Sequence, residues 1–121
     1  MIGYLMLGTN DLDRAAGFYD ALLAELGAKR AMSDPGRFIG WSNGTGPMLA
    51  ITRPHDGNEA MVGNGVMVAL AAGSKEAVDK IHAAALSLGG SDEGAPGPRT
   101  GTFYGGYFRD LDGNKLVAFH M

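Results

Sequence analysis

The sequence predicts an α+β fold of two βαβββ modules. They form a curved, cup-shaped mixed sheet with the helices on the outside. Three observations carry this prediction. An apolar strand followed by a capped helical stripe occurs twice, each stripe is followed by short strand patterns separated by turns, and the two series align at nearly constant offsets.

The first strand is the apolar run 2–8 (IGYLMLG). Thr9, Asn10 and Asp11 form a capping cluster, in which Asn10 or Asp11 accepts from the unpaired N–H groups of a helix. From Leu12 the period changes: Leu12, Ala15, Phe18, Tyr19, Leu22 and Leu26 follow steps of three and four. Gly27 closes that helix, because glycine adopts the left-handed conformation cheaply. Strands are then expected over 28–32, 36–42 and 47–53, with turns at Asp34-Pro35-Gly36 and Asn43-Gly44-Thr45-Gly46. Residues 54–64 read as a polar connection.

The order then recurs. Residues 65–71 are a strand, Ser74 is a cap, and Val78, Ile81, Ala85 and Leu88 make a stripe that ends at Gly89-Gly90. The Gly- and Pro-rich segment 91–100 reads as a loop with at most a ragged strand. Strands 102–109 and 114–120 are joined by Asp110-Leu111-Asp112-Gly113, a tight hairpin. An offset of 63 takes Tyr4 to Met67, Asp11 to Ser74, Phe18 to Ile81 and Gly27 to Gly90. An offset of 67 takes Trp41 to Phe108, Asn43 to Asp110, Gly46 to Gly113 and Leu49 to Leu116. The change of offset implies a four-residue insertion in the second copy, placed within 91–100. The chain thus reads as one domain with modules at about 1–53 and 65–121.

Composition narrows the function. With a net charge of −3 and scattered Lys and Arg, neither nucleic acid nor a membrane surface is an expected partner. Cysteine is absent, which removes disulfides, thiol nucleophiles and thiolate metal sites and fits the cytoplasm. No apolar run approaches the roughly 20 residues needed to span a bilayer.

Side chains alternate along a strand, so one face of each sheet meets its helix and the other lines the cup. Leu5 and Leu7 are expected toward the helix, with Tyr4 and Met6 in the cup. Met48, Ala50 and Thr52 point inward from the fourth strand. In the second module Val66, Val68 and Leu70 meet the helix, leaving Met67 and Ala69 in the cup. In the last strand Leu116 and Ala118 face the helix, and Lys115, Val117 and Phe119 face the cup. Such a lining suits a small, partly apolar ligand, or else its side chains fill the space themselves.

Other candidates lie at the margins. His55, in Arg53-Pro54-His55-Asp56-Gly57, is placed to bind an acidic ligand together with Arg53, or is simply solvated. Tyr104 and Tyr107 flank Gly105-Gly106, where a ligand or another backbone can come close. Arg99 is either an anion clamp or a solvated loop residue. Trp41 and Phe38 are expected in the core, over the cup or at a dimer seam, and His82 as a half-exposed helical residue.

The stretch GTNDLDRAAGFYDALLAELG (8–27) resembles the first strand-helix signature of the vicinal-oxygen-chelate superfamily, which includes glyoxalases, extradiol dioxygenases and bleomycin-resistance proteins. Residues 63–90 and GGYFRDLDGNKLVAF (105–119) resemble its second-half signature. The resemblance implies the paired-module fold and a homodimer. It also implies a divalent metal held by His or Glu side chains from the first and fourth strands of each unit. Those positions fall here at Tyr4, Ala50, Met67 and Val117, none of which is His, Asp or Glu. Shifting a strand by one residue brings in Gly3, Leu5, Val66, Val68, Leu116 or Ala118, which are no better. Neither metal nor other cofactor is therefore expected.

Three readings follow. The chain is a metal-independent binding module, with Tyr4, Tyr104 or Arg53 orienting a small molecule. Alternatively it is a glyoxalase-like lyase or dioxygenase-related enzyme, with a displaced metal site or an acid-base pair such as His55 with Glu59 or Tyr104. The third reading is an interaction protein with a filled cup.

Overall fold

The computed structural model describes residues 1–121. Its elements run β1 (Tyr4–Gly8), α1 (Leu12–Ala24), β2 (Lys29–Asp34), β3 (Phe38–Ser42) and β4 (Met48–Thr52), then β5 (Val68–Ala71), α2 (Lys75–Ser87), β6 (Ser91–Pro98), β7 (Tyr104–Arg109) and β8 (Lys115–His120). The chain divides into two compact units, Met1–Met61 and Val62–Met121, so the connection over 54–61 goes with the first.

Each unit is one four-stranded mixed sheet with one helix. The strand orders are β1-β4-β3-β2 and β5-β8-β7-β6. The first and last strands of each unit are parallel and the other pairs are antiparallel. The ladders confirm the repeat residue by residue. Leu5 pairs Leu49 as Val68 pairs Leu116, and Gly40 pairs Ala50 as Tyr107 pairs Val117.

Both helices begin at the caps read from the sequence. Asp11 accepts from the Arg14 N–H, and Ser74 accepts from the Ala77 N–H. Asn10 has another use: its side-chain amide pairs with both the N–H and the carbonyl of Ala60, holding the 54–61 connection to the end of β1.

Three expectations need correction. The segment 91–100 contains an eight-residue strand, β6, with register shifts between Asp92 and Gly94 and between Gly94 and Gly97. The extra length falls mainly in its hairpin: Gly97–Gly105 encloses 98–104, whereas the matching pair Asp34–Phe38 encloses 35–37. Val66 precedes β5 and is exposed, so it does not pack under the helix.

In the first unit Leu7, Ile39, Trp41, Leu49 and Ile51 are buried, as are Ala15, Phe18, Tyr19 and Leu22 of α1. Trp41 packs against Tyr19 at 5.7 Å between ring centroids, so it covers neither the cup nor a seam. Its indole N–H donates to Asp20 Oδ1 at 2.8 Å, and Arg30 grips both oxygens of the same carboxylate at 2.9 and 2.8 Å. One acid thereby joins α1, β2 and β3.

The Arg30 hydrogen bond, helped by Trp41 and opposed by partial burial, holds the Asp20 carboxyl below its ordinary value of 3.8. A depressed carboxylate contributes stability above its ordinary value and loses it as pH falls through the folded one. Below about pH 4, stability should therefore fall more steeply in the wild type than in Asp20→Asn. The difference is damped because the pair is half exposed. Urea midpoints at several acidic pH values check this, and parallel slopes would contradict it.

The second unit repeats the plan with different side chains. His82, at the position of Tyr19, is buried rather than half exposed and packs edge-on to Phe108. Its Nε2 lies 3.0 Å from Asp92 Oδ1 and 3.1 Å from the Tyr107 carbonyl. The Gly94 N–H first, and His82 second, hold the Asp92 carboxyl below its ordinary value. This cluster pins α2 and the bulged β6 to the same strand.

Candidate functional site

The face of the first sheet away from α1 bears a cavity of about 990 Å³. Tyr4 and Met6 line it from β1, Met32 from β2, Phe38 from β3, and Met48 and Thr52 from β4. Alternation along the strands puts these side chains together. Arg37, Arg53, His55 and Glu59 stand around it, supplied by the β2–β3 turn and by the connection that Asn10 holds.

The lining is apolar and open: Tyr4, Met6 and Met32 are 60%, 41% and 55% exposed. Arg37 lies 3.4 Å from Asp34, whereas the exposed Arg53 side chain has no acidic partner. The exposed His55 and Glu59 side chains are not hydrogen-bonded to each other. Ala50 faces the same way but is fully buried and is not part of the lining.

The residues of the second unit that were expected to face a cup are arranged differently. Tyr107 has the Arg99 guanidinium at 5.3 Å and the Lys115 ammonium at 5.7 Å from its ring centroid. Arg99 is held there by the carbonyls of Ala95 and Pro98. Phe119 stacks on Phe103 at 5.3 Å with the rings 2° from parallel. Met67 is exposed ahead of β5, while Val117 is fully buried.

Tyr104 points the other way. Its hydroxyl donates to Asp79 of α2 at 2.7 Å and Lys75 lies over its ring. The Asp79 bond holds its phenol above the ordinary value of 10.0, so it is neither a free orienting group nor a base near neutrality. Glycines 105 and 106 do admit close neighbours, but these are the chain's own. A Cβ on Gly105 would lie 2.6 Å from Phe103, and one on Gly106 would lie 3.0 Å from Pro96 and 3.1 Å from His82.

Of the residues expected from sequence, Tyr4, Met6, Met48, Arg53 and His55 line one cavity. The sequence reading missed Met32 and Arg37. No sequence signal marks Met32; only its ladder pairing with Gly40, past a register shift, puts it on this face.

Three of the four positions at which the resemblance implies a metal cannot serve a hard divalent ion. Ala50 and Val117 have no heteroatom and are sealed in the core. Met67 offers only a thioether, poorly suited to a hard divalent ion. Nowhere do three or more His, Cys, Asp or Glu side chains gather so as to hold an ion.

Two βαβββ units, each an open four-stranded mixed sheet with one helix, define the α+β class of this protein. The model of the Glyoxalase/Bleomycin resistance protein/Dioxygenase superfamily matches residues 1–118, and the chain belongs to that family. It is similar to a glyoxalase/bleomycin resistance protein from Albidiferax ferrireducens T118, with 38% identity and a TM-score of 0.92 over 100% of this chain and 98% of that one. A lactoylglutathione lyase from Agrobacterium tumefaciens shares the fold at 23% identity and a TM-score of 0.73, over 98% of this chain and 92% of that one. A glyoxalase/bleomycin resistance protein/dioxygenase family enzyme from Burkholderia phytofirmans PsJN does so at 19% and 0.77, over 97% and 95%. No curated protein matches the chain. No helix is long and apolar enough to cross a membrane.

Proposed function

We propose that the chain binds a small, partly apolar organic anion in the cavity of its first unit, by shape and rim charge and without a metal. The carrying observation is the open Tyr4, Met6 and Met32 face beside the unpaired Arg53. Exposed apolar surface of this kind marks a ligand or partner site, and a guanidinium at its edge selects an anion.

The test uses 8-anilinonaphthalene-1-sulfonate, an apolar anion whose fluorescence rises on binding. Arg53→Gln should weaken it by about five- to tenfold, the worth of one charge-assisted contact at an exposed rim. Met6→Asp should weaken it further. Binding untouched by both changes would remove the reading. So would stoichiometric Ni, Zn, Fe or Mn in the purified chain whose extraction abolished the binding.

A second reading, of an acid-base enzyme related to the lyases, rests on His55 and Glu59 lining the same cavity. It requires turnover of a bound compound that both His55→Gln and Glu59→Gln abolish. We also propose a homodimer working in the cytoplasm. Exposed Met61, Val66, Met67 and Leu86 support the association, and the lack of cysteine suits the compartment. Light scattering of the purified chain decides the first point.

A further inference from the structure

One row of ladder partners across the concave face of the first sheet reads Met6, Ala50, Gly40, Met32. The two central members offer a methyl group and a hydrogen. The outer methionines stand three strand spacings apart, roughly 14 Å. Between them lies a flat trough floored by backbone.

The atoms over that floor belong to Met48. A Cβ on Gly40 would lie 2.6 Å from its Sδ, 3.0 Å from Cε and 3.2 Å from Cγ. Met48 lines the cavity, while Gly40 and Ala50 beneath it do not. A thioether on an unbranched stem changes rotamer easily and packs well against aromatic rings. A valine or leucine there would make a fixed floor.

The second unit shows what sits on another bare glycine of this fold, at the position of Phe38 rather than of Gly40. Gly105 is covered by the Phe103 ring, which itself stacks parallel to Phe119. Aromatic ring atoms occupy the place that a side chain would otherwise take.

We propose that Met48 is a movable cover and that the cavity accepts a planar aromatic ring bearing an anionic group. The ring lies on the Gly40–Ala50 backbone between Met6 and Met32, and the anion meets Arg53. This rests on the binding function proposed above and specifies its ligand class as an aryl carboxylate or a similar aryl anion. A flexible aliphatic anion matches the rim but gains little from a flat floor flanked by sulfur.

The experiment is calorimetric titration of the full chain with 2-naphthoate and with decanoate. Naphthoate should bind about tenfold tighter than decanoate. Gly40→Val, which fills the trough, should cost naphthoate about tenfold and decanoate no more than about threefold. Met48→Ala, which removes the cover, should tighten naphthoate by about threefold, and it keeps the test intact if Gly40→Val does not fold. With methyl-labelled methionine, naphthoate should shift the Met48 methyl resonance upfield through its ring current. Equal affinities for the two anions, no response to either substitution, or an unmoved Met48 methyl would overturn the trough. Those outcomes would leave anion binding standing if Arg53→Gln still weakened both ligands. Failure of both ligands to bind would remove both proposals.

Discussion

Replacing Trp41 by alanine is expected to cost about 3–5 kcal/mol, as for other large aromatic side chains removed from a core. Trp41 is 1% exposed and packs on Tyr19, so deletion leaves a void between α1 and β3 that a short sheet cannot collapse around. The loss is compounded because the indole N–H also satisfies Asp20, whose carboxylate anchors Arg30 from the edge strand. Trp41→Phe separates the two effects. It keeps most of the apolar volume, loses the donor, and should cost about 1–2 kcal/mol. Urea unfolding followed by circular dichroism measures both. A Trp41→Ala loss below about 1 kcal/mol would mean that this residue does not anchor the helix.

Gly90→Ala is the second large effect, and it arises without any left-handed backbone. Gly90 follows α2 at the entrance to β6. A Cβ there would lie 2.7 Å from the Arg109 carbonyl oxygen and 2.8 Å from that of Ala85. Both obstacles are backbone atoms. The Ala85 carbonyl also receives the Gly90 N–H at 2.9 Å, so relief requires breaking the turn that ends the helix. A cost of about 2–4 kcal/mol follows from overpacking against groups that cannot step aside. Gly36→Ala is the control. Its φ of +77° is strained for alanine, but nothing lies within 4 Å, so only about 1 kcal/mol is expected. Thermal unfolding of the two variants ranks them, and equal midpoints would refute the steric account.

Features set by neighbours in sequence were legible before any coordinates. The caps at Asp11 and Ser74, the change of period after each, and the Asp110–Gly113 turn are local chemistry. Because they recur in order, the duplication could be read as well. Strand β6 was obscured for the opposite reason. Its sequence SDEGAPGP lacks the apolar alternation of a strand, and it is held as one by pairing with β7, bulges included.

The site divides along the same line. Tyr4, Met6 and Met48 were found because alternation in apolar strands assigns their face. Tyr104 was misplaced by being grouped with Tyr107: three residues apart on one strand, the two face opposite ways, and Tyr104 meets Asp79 of α2. Met32 lies in a polar edge strand, KRAMSD, where periodicity is weak. The clamp between Asn10 and Ala60 spans fifty positions of chain, beyond the reach of any local pattern.

The stacked Phe103 and Phe119 rings bear on how the duplicated halves have parted. Two equal copies begin with equal capacity. Here one copy lays an aromatic pair of its own, Phe103 and Phe119, over Gly105. The other copy differs: there a compressible sulfur, that of Met48, lies over Gly40, and the sheet face beside it stays open.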